Sequence, residues 1–316
     1  MVDVIIQAII IMIQAHAIVF LSPLVIGIIR KIKAQLQSRK GASILQPYYD
    51  LRKLFRKDSV VSKNASWVFR ITPYICMGTV LVITLMVPVF FSVSLNLIGN
   101  VIVLVSLLSA MRFFMALAAL DVNSTFTGMG SSREMLISAI AEPTILLCIF
   151  TVSLTAKTTY LGDIARILSL SNVSFLNPSI YMAFFAFFVV MLAENARIPF
   201  DNPATHLELT MIHEAMILEY SGKSLALMEW ASWTKLMVFL AILANMFFPW
   251  GIATELTIQA ISTGILVFVI KIGLFAAAIA YVESAISKLR LFKVPNLLGI
   301  AFTLALVAVV SYYIIL

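Results

Sequence analysis

The sequence predicts an all-α integral membrane protein of about eight transmembrane helices. Of its 316 residues, 62% are hydrophobic and 12% charged, against roughly half and a quarter in a soluble domain. Apolar runs long enough to cross about 30 Å of hydrocarbon recur along the whole chain. The basic residues also gather in one place: eleven of the 22 Lys and Arg lie between Arg30 and Arg70.

The runs fall at about 4–29, 70–92, 97–120, 134–156, 178–198, 224–249, 257–283 and 294–316. The first has no basic leader ahead of it and reads as a retained helix, not a cleaved signal. Loop 30–69 follows, with Arg30, Lys31, Lys33, Arg39, Lys40, Arg52, Lys53, Arg56, Lys57 and Lys63. Positive residues close to span ends stay in the cytoplasm. Eight spans then place loops 30–69, 121–133, 199–223 and 284–293 on the cytoplasmic side and both termini on the outer, periplasmic face. Lys288, Arg290 and Lys293 agree, and the opposite loops near 93–96 and 250–256 carry no Lys or Arg. Outer loop 157–177 mixes Asp163 and Arg166 with Leu161, Ile164, Ile167 and Leu168, the pattern of a short surface helix. No internal repeat or low-complexity linker divides the chain, so residues 1–316 are expected to form a single domain.

The net charge of +7 is explained by this topology signal, and no nucleic-acid partner is implied. Cys76 and Cys148 lie within apolar runs, without CxxC spacing or a nearby His, so neither a metal nor an iron–sulfur site is indicated.

Charges inside the spans carry the functional signal. One near the bilayer centre costs at least about 2.5–3.5 kcal/mol. Arg112 lies well inside the third span, Glu142 in the fourth, Glu194 and Arg197 near the end of the fifth, Glu229 and Lys235 in the sixth, Lys271 and Glu283 in the seventh. Pro143 follows Glu142 and opens the helix backbone locally. Structural pairing or snorkelling is an equal account of Glu134, Arg197 and Glu283, which sit near helix ends. Glu142, Glu229, Lys235 and Lys271 fit a buried polar chain that passes protons between groups of perturbed pKa.

Loop 199–223 concentrates Asp201, His206, Glu208, His213, Glu214 and Glu219. A metal reading would pair His206 with Glu214, or Glu208 with His213. HLELTMIHE lacks HExxH spacing, however, and no Cys joins it. An acidic, water-exposed funnel feeding protons toward Glu194, Glu229 and Glu142 is the better account.

Two segments resemble a known family. QSRKGASILQPYYDLRKLFRKD (37–58) is similar to the R-x-G-P-x-x-x-Q-P-x-x-D-x-x-K-L-F-x-K-[DE] segment of the proton-pumping NADH:quinone oxidoreductase subunit 1 family. LAENARIPFDNPATHLELTMIHEAMILEYSG (192–222) is similar to that family's E-x-N-R-x-P-F-D segment, acidic loop and E-Y-[SA]-G. One branch of the family belongs to respiratory NADH dehydrogenases and forms part of their quinone chamber. The other belongs to group 4 membrane-bound [NiFe]-hydrogenases. Ala204 and His206 stand where the respiratory pattern has its first two glutamates, the stretch Glu208 to Glu219 is about three residues longer, and Gly41-Ala42 replaces Gly-Pro. These departures resemble the hydrogenase branch of formate hydrogenlyase and hydrogenase-4 type.

The resemblance implies a membrane anchor and proton-path subunit in the cell's inner membrane. Arg39, Gly41, Gln46, Pro47, Asp50, Lys53 and Lys57 would meet the peripheral redox arm. Glu194, Arg197, Asp201, Glu208 and Glu219 would open a lateral proton path, which Glu142 and Glu229 continue toward an antiporter-like neighbour. Glu214, Lys235, Lys271 and Arg112 are further candidates along it. Expected partners are the hydrogenase large and small subunits, a ferredoxin-like iron–sulfur subunit and antiporter-like membrane subunits. The [NiFe] centre and iron–sulfur clusters would reside in those partners, with no cofactor in this chain. The alternative is a quinone-chamber subunit of a respiratory NADH:quinone oxidoreductase.

Overall fold

The structure is a computed structural model that describes residues 2–92, 99–170, 177–202 and 211–315. Helices dominate it: α1 (Val2–Leu36), α2 (Gln46–Phe55), α3 (Trp67–Met86), α4 (Val101–Asp121), α5 (Thr125–Ala156), α6 (Leu161–Leu170), α7 (Pro178–Glu194), α8 (His213–Met216), α9 (Gly222–Ile242), α10 (Ile258–Ala285) and α11 (Val294–Ile315). Among the described residues, extended pairing is confined to the isolated bridges Phe91–Ala253 and Asn100–Tyr160.

Seven helices are long and apolar enough to cross a membrane: α1, α3, α4, α5, α9, α10 and α11. The fifth expected span corresponds to α7, which has 17 residues, the lower edge of the spanning range. Local chemistry sets several helix starts. Ser66 caps α3 by accepting from the Val68 amide, Asn100 caps α4 through Ile102, and Thr257 caps α10 through Ala260, each satisfying a backbone donor that lipid would leave unpaired. The expected surface helix in 157–177 is α6, with Leu161, Ile164 and Leu168 turned inward.

Two expected loops are partly helical. The apolar runs make residues 121–133 a connector, yet α5 begins at Thr125 and runs 32 residues. Loop 30–69 contains the end of α1 and all of α2. In both places polar residues on a helix face hide the helix from a reading of apolar runs.

α5, α7 and α11 pack as one group, and α1, α3 and α9 as another, with α4 against both α3 and α5. Leu298, Ala301, Ala305 and Ala308 form a buried stripe on α11. Its 3–4 spacing and small side chains suit the close approach to α5 and α7 that drives helix association in lipid. Gly27 on α1 permits a close approach too, since a Cβ there would overlap the Ile44 carbonyl. Gly222 has φ +54 and room only for hydrogen beside the Asp58 carbonyl. It docks the start of α9 onto the basic loop, where the Ser221 hydroxyl bonds the Val60 amide and carbonyl.

Candidate functional site

Arg112 projects from α4 into the seam between α5 and α7. Its Nη1 donates to Glu142 Oε1 at 2.9 Å, its Nη2 bonds Glu194 Oε2, and its Nε lies 3.7 Å from Glu134 Oε1. Glu134 and Glu142 come from α5, and Glu194 is the last residue of α7. On the far side, Lys235 of α9 donates to the Glu194 carbonyl at 2.8 Å and lies 3.1 Å from its carboxylate. Five ionisable groups from four helices therefore touch in one buried network. Desolvating charges on this scale is unfavourable unless each finds a partner, which the guanidinium fork provides in three directions.

The network is enclosed except at Glu142, whose side chain keeps 33% of its exposure while Arg112 and Glu194 keep 4% and 1%. Glu142 faces a groove of about 600 Å³ between α4 and α5, beside Ser138, Pro143 and Phe113. Pro143 lacks the amide that would bond the Ala139 carbonyl, and both residues line the same groove. On the opposite side, Arg112 Nε and Glu194 Oε1 find no hydrogen-bond partner among the described residues. They border a cavity of about 10 Å³ (volume open to a water's centre) with His213, Ser232 and Lys235, close to the size of one water.

His213 and Ser232 also line a larger cavity of about 520 Å³ at the loop end, with Arg30, Asn195, Arg197, Glu214, Glu229 and Glu283. Glu283 of α10 is buried and divided between Arg197 Nη1 at 3.2 Å and Lys33 Nζ at 3.0 Å. Asp201 works as a clasp. Its Oδ2 accepts the Ile212 and His213 amides at 3.0 and 3.1 Å, and its Oδ1 accepts Lys288 Nζ at 2.7 Å. Burial, reinforced by the negative Glu229 and Asp201, pushes Glu214 up to about 8. Burial and the nearby Lys235 ammonium push His213 down to about 4.

Of the sequence candidates, Arg112, Glu142, Glu194 and Lys235 meet directly, while Arg197, Glu214 and Glu229 line the adjoining cavity. Glu219 is half-buried in the turn after α8. Glu208 and His206 lie outside the described residues. Lys271 stands apart: its ammonium donates to the Phe248 and Trp250 carbonyls, both at 2.6 Å. Lys33, Asn195 and Ser232 are not sequence candidates. Lys33 reads as one more charge of the basic loop, yet α1 carries it to Glu283, and a neutral Ser or Asn within a span gives no signal of its own. Among the described residues, no group of three or more His, Cys, Asp or Glu is placed to hold a metal.

The residues of 37–58 are split. Arg39 and Gly41 line the 520 Å³ cavity. Gln46 donates to Asp50 at 2.9 Å within α2, Asp50 reaches Arg30 at 3.9 Å, and Pro47 is buried at the helix start. Lys53 and Lys57 are exposed with Tyr49, Arg52 and Arg56 along a basic groove of about 400 Å³.

The profile of the NADH dehydrogenase family matches residues 7–313, and the chain belongs to that family. It is 32% identical over 296 residues to Hydrogenase-4 component C of Escherichia coli (strain K12), covering 93% of this chain and 92% of that protein. It is also 32% identical over 301 residues to Formate hydrogenlyase subunit 4 of the same organism, covering 95% and 97%. In fold it is similar to a chain of the membrane-bound sulfane sulfur reductase, an archaeal respiratory membrane complex, with TM-score 0.78, 18% identity and 98% and 99% coverage. With its apolar helices, it is a multi-pass membrane protein.

Proposed function

We propose that this member of the NADH dehydrogenase family is the membrane anchor and proton-path subunit of a group 4 [NiFe]-hydrogenase complex of formate hydrogenlyase type. It sits in the cytoplasmic (inner) membrane as a single domain of eight spans, both termini outside and loops 30–69, 121–133, 199–223 and 284–293 in the cytoplasm. Similarity to Hydrogenase-4 component C and Formate hydrogenlyase subunit 4 supports the complex. The hydrogenase large and small subunits and a ferredoxin-like subunit hold the [NiFe] centre and clusters. They dock on Arg39, Gly41, Gln46, Pro47, Asp50, Lys53 and Lys57. Antiporter-like subunits lie beside the α4–α5 groove.

The observation that carries the proton path is Arg112 bridging Glu134, Glu142 and Glu194. A proton enters at the acidic mouth of Asp201, Glu208, Glu214 and Glu219, reaches Glu229 and Arg197 in the 520 Å³ cavity, and passes His213 and Ser232 to Glu194. From Glu194 the proton crosses the Arg112 network to Glu142, which delivers it into the groove. A charge change in the peripheral arm drives the sequence by shifting proton affinities in the acidic loop. Lys271, committed to backbone carbonyls, is left out of the route.

Purification of the tagged chain in gentle detergent, with subunit identification and a metal assay, tests the assignment. Nickel and a large hydrogenase subunit are expected to co-purify. A flavin subunit and bound quinone without nickel would contradict it and favour the second reading, a quinone chamber in a respiratory NADH:quinone oxidoreductase. The 520 Å³ cavity is the observation on that side: Ile26 and Trp233 give it apolar walls beside Arg30 and Glu214.

A further inference from the structure

A second site lies at the loop end of the bundle, outside the charge network. Three cations from two separate segments converge on one cavity of about 340 Å³: Arg133 from the first third of α5, and Lys288 and Arg290 from the turn between α10 and α11. Its other walls are apolar, Phe200 and Leu291 among them, and no Asp or Glu is among its described lining residues. Each cation has a different degree of commitment. Lys288 is held by Asp201 at 2.7 Å, Arg133 donates through Nη1 to the Met211 carbonyl at 2.9 Å, and Arg290 is exposed.

The surroundings place this cavity at the depth of lipid headgroups. α5 has 32 residues, about 48 Å, against roughly 30 Å of hydrocarbon. Arg133 lies about 12 Å along it from the loop end, near where the helix leaves the acyl region. Met129 and Leu136, one turn either side of it, are exposed, as lipid-facing side chains are. In the turn, Phe292 is 89% exposed between Arg290 and Lys293. An aromatic ring held out between bases suits the membrane–water interface, where the ring enters the acyl boundary and the bases meet phosphate.

We propose that this cavity binds the phosphate headgroup of an anionic membrane phospholipid, anchored by Arg290 and Arg133, with Phe292 against its acyl chains. Basic pockets between membrane helices recognise acidic headgroups in this way. Guanidinium forks match two phosphate oxygens at once, so a phosphodiester is preferred over a zwitterionic headgroup whose own cation opposes the pocket. The bound lipid would tie the α10–α11 turn to α5 next to the Asp201–Lys288 clasp. Free phosphate shares the anionic chemistry, but neither the exposed Phe292 nor the acyl-level residues around Arg133 would serve it.

The test is native mass spectrometry of the full chain released from mixed micelles holding equal amounts of dioleoyl phosphatidylglycerol and dioleoyl phosphatidylcholine. The chain is expected to retain phosphatidylglycerol selectively. Arg290→Gln, at an exposed position, should lower that retention about fivefold, and Arg133→Gln with Arg290→Gln about thirtyfold. Lys223→Gln, the same charge change at an exposed site on α9, should leave it unchanged. Equal retention of the two lipids, or retention indifferent to Arg290→Gln, would overturn the proposal. Displacement of phosphatidylglycerol by millimolar inorganic phosphate would reveal a free-anion site and also overturn it. So would retention by the isolated chain but not by the assembled complex, since a partner's acidic segment would then fill the cavity.

Discussion

At the end of the bundle away from the basic loop, polar side chains point at backbone; around Arg112 they point chiefly at one another. Gln14 Oε1 accepts three consecutive amides, Val89, Phe90 and Phe91, at 2.8–3.2 Å. Asn245 donates to the Pro88 and Val89 carbonyls, and Lys271 to those of Phe248 and Trp250. Each repairs irregular chain at membrane depth, where lipid offers no partner. In the Arg112 network the contacts are chiefly between side chains, with one backbone contact, from Lys235 to the Glu194 carbonyl. Its charges are balanced against other charges, and two of its atoms face a cavity. The first arrangement holds a shape, whereas the second is the one proposed to carry protons.

Substitutions sharpen that contrast. The largest expected effect is from Arg112→Gln, which leaves Glu134, Glu142 and Glu194 buried without their common cation. A loss of about 3–5 kcal/mol follows, read as a lower melting temperature in detergent and poor insertion of the complex. Gln14→Leu comes next, at about 3 kcal/mol for three stranded amides, with ion movement retained by whatever folds. Lys271→Met should cost about 1 kcal/mol and leave proton translocation per turnover intact. A fall in translocation without a fall in stability would return Lys271 to the proton route.

A separate test concerns pH. Glu214 is held up at about 8, so the folded state keeps a proton that the unfolded chain has lost between about pH 4.5 and 8. Stability should therefore fall as pH rises through that window, and Glu214→Gln should flatten the slope. His213, held down at about 4, acts oppositely: the unfolded chain binds the extra proton between about pH 6.5 and 4, so stability falls as pH drops. Melting temperatures across both windows check the two signs.

Much of this is legible in the sequence, for reasons that also explain the rest. Long apolar runs fix where helices lie because backbone in lipid must be satisfied internally. Arg112, Glu142, Glu194 and Lys235 stand out because a charge inside such a run is costly. Which of them meet is not legible, because helix-to-helix rotation is set by packing such as the Ala301–Ala305–Ala308 stripe. Lys271 and Lys235 look alike in sequence, yet Lys271 reaches carbonyls of the turn before α10, whereas Lys235 also reaches a carboxylate. The start of α5 escapes a reading of apolar runs because Ser131, Ser132 and Arg133 lower the apolar signal without breaking a helix.

Proton translocation by the assembled complex in proteoliposomes decides between the two roles, with Glu142→Gln and Glu194→Gln compared with wild type at matched complex content. Both variants are predicted to lose translocation while redox turnover with artificial electron carriers continues. Unchanged translocation in both would contradict the proton path and leave the Arg112 network a structural tie, like its counterpart at the other end of the bundle.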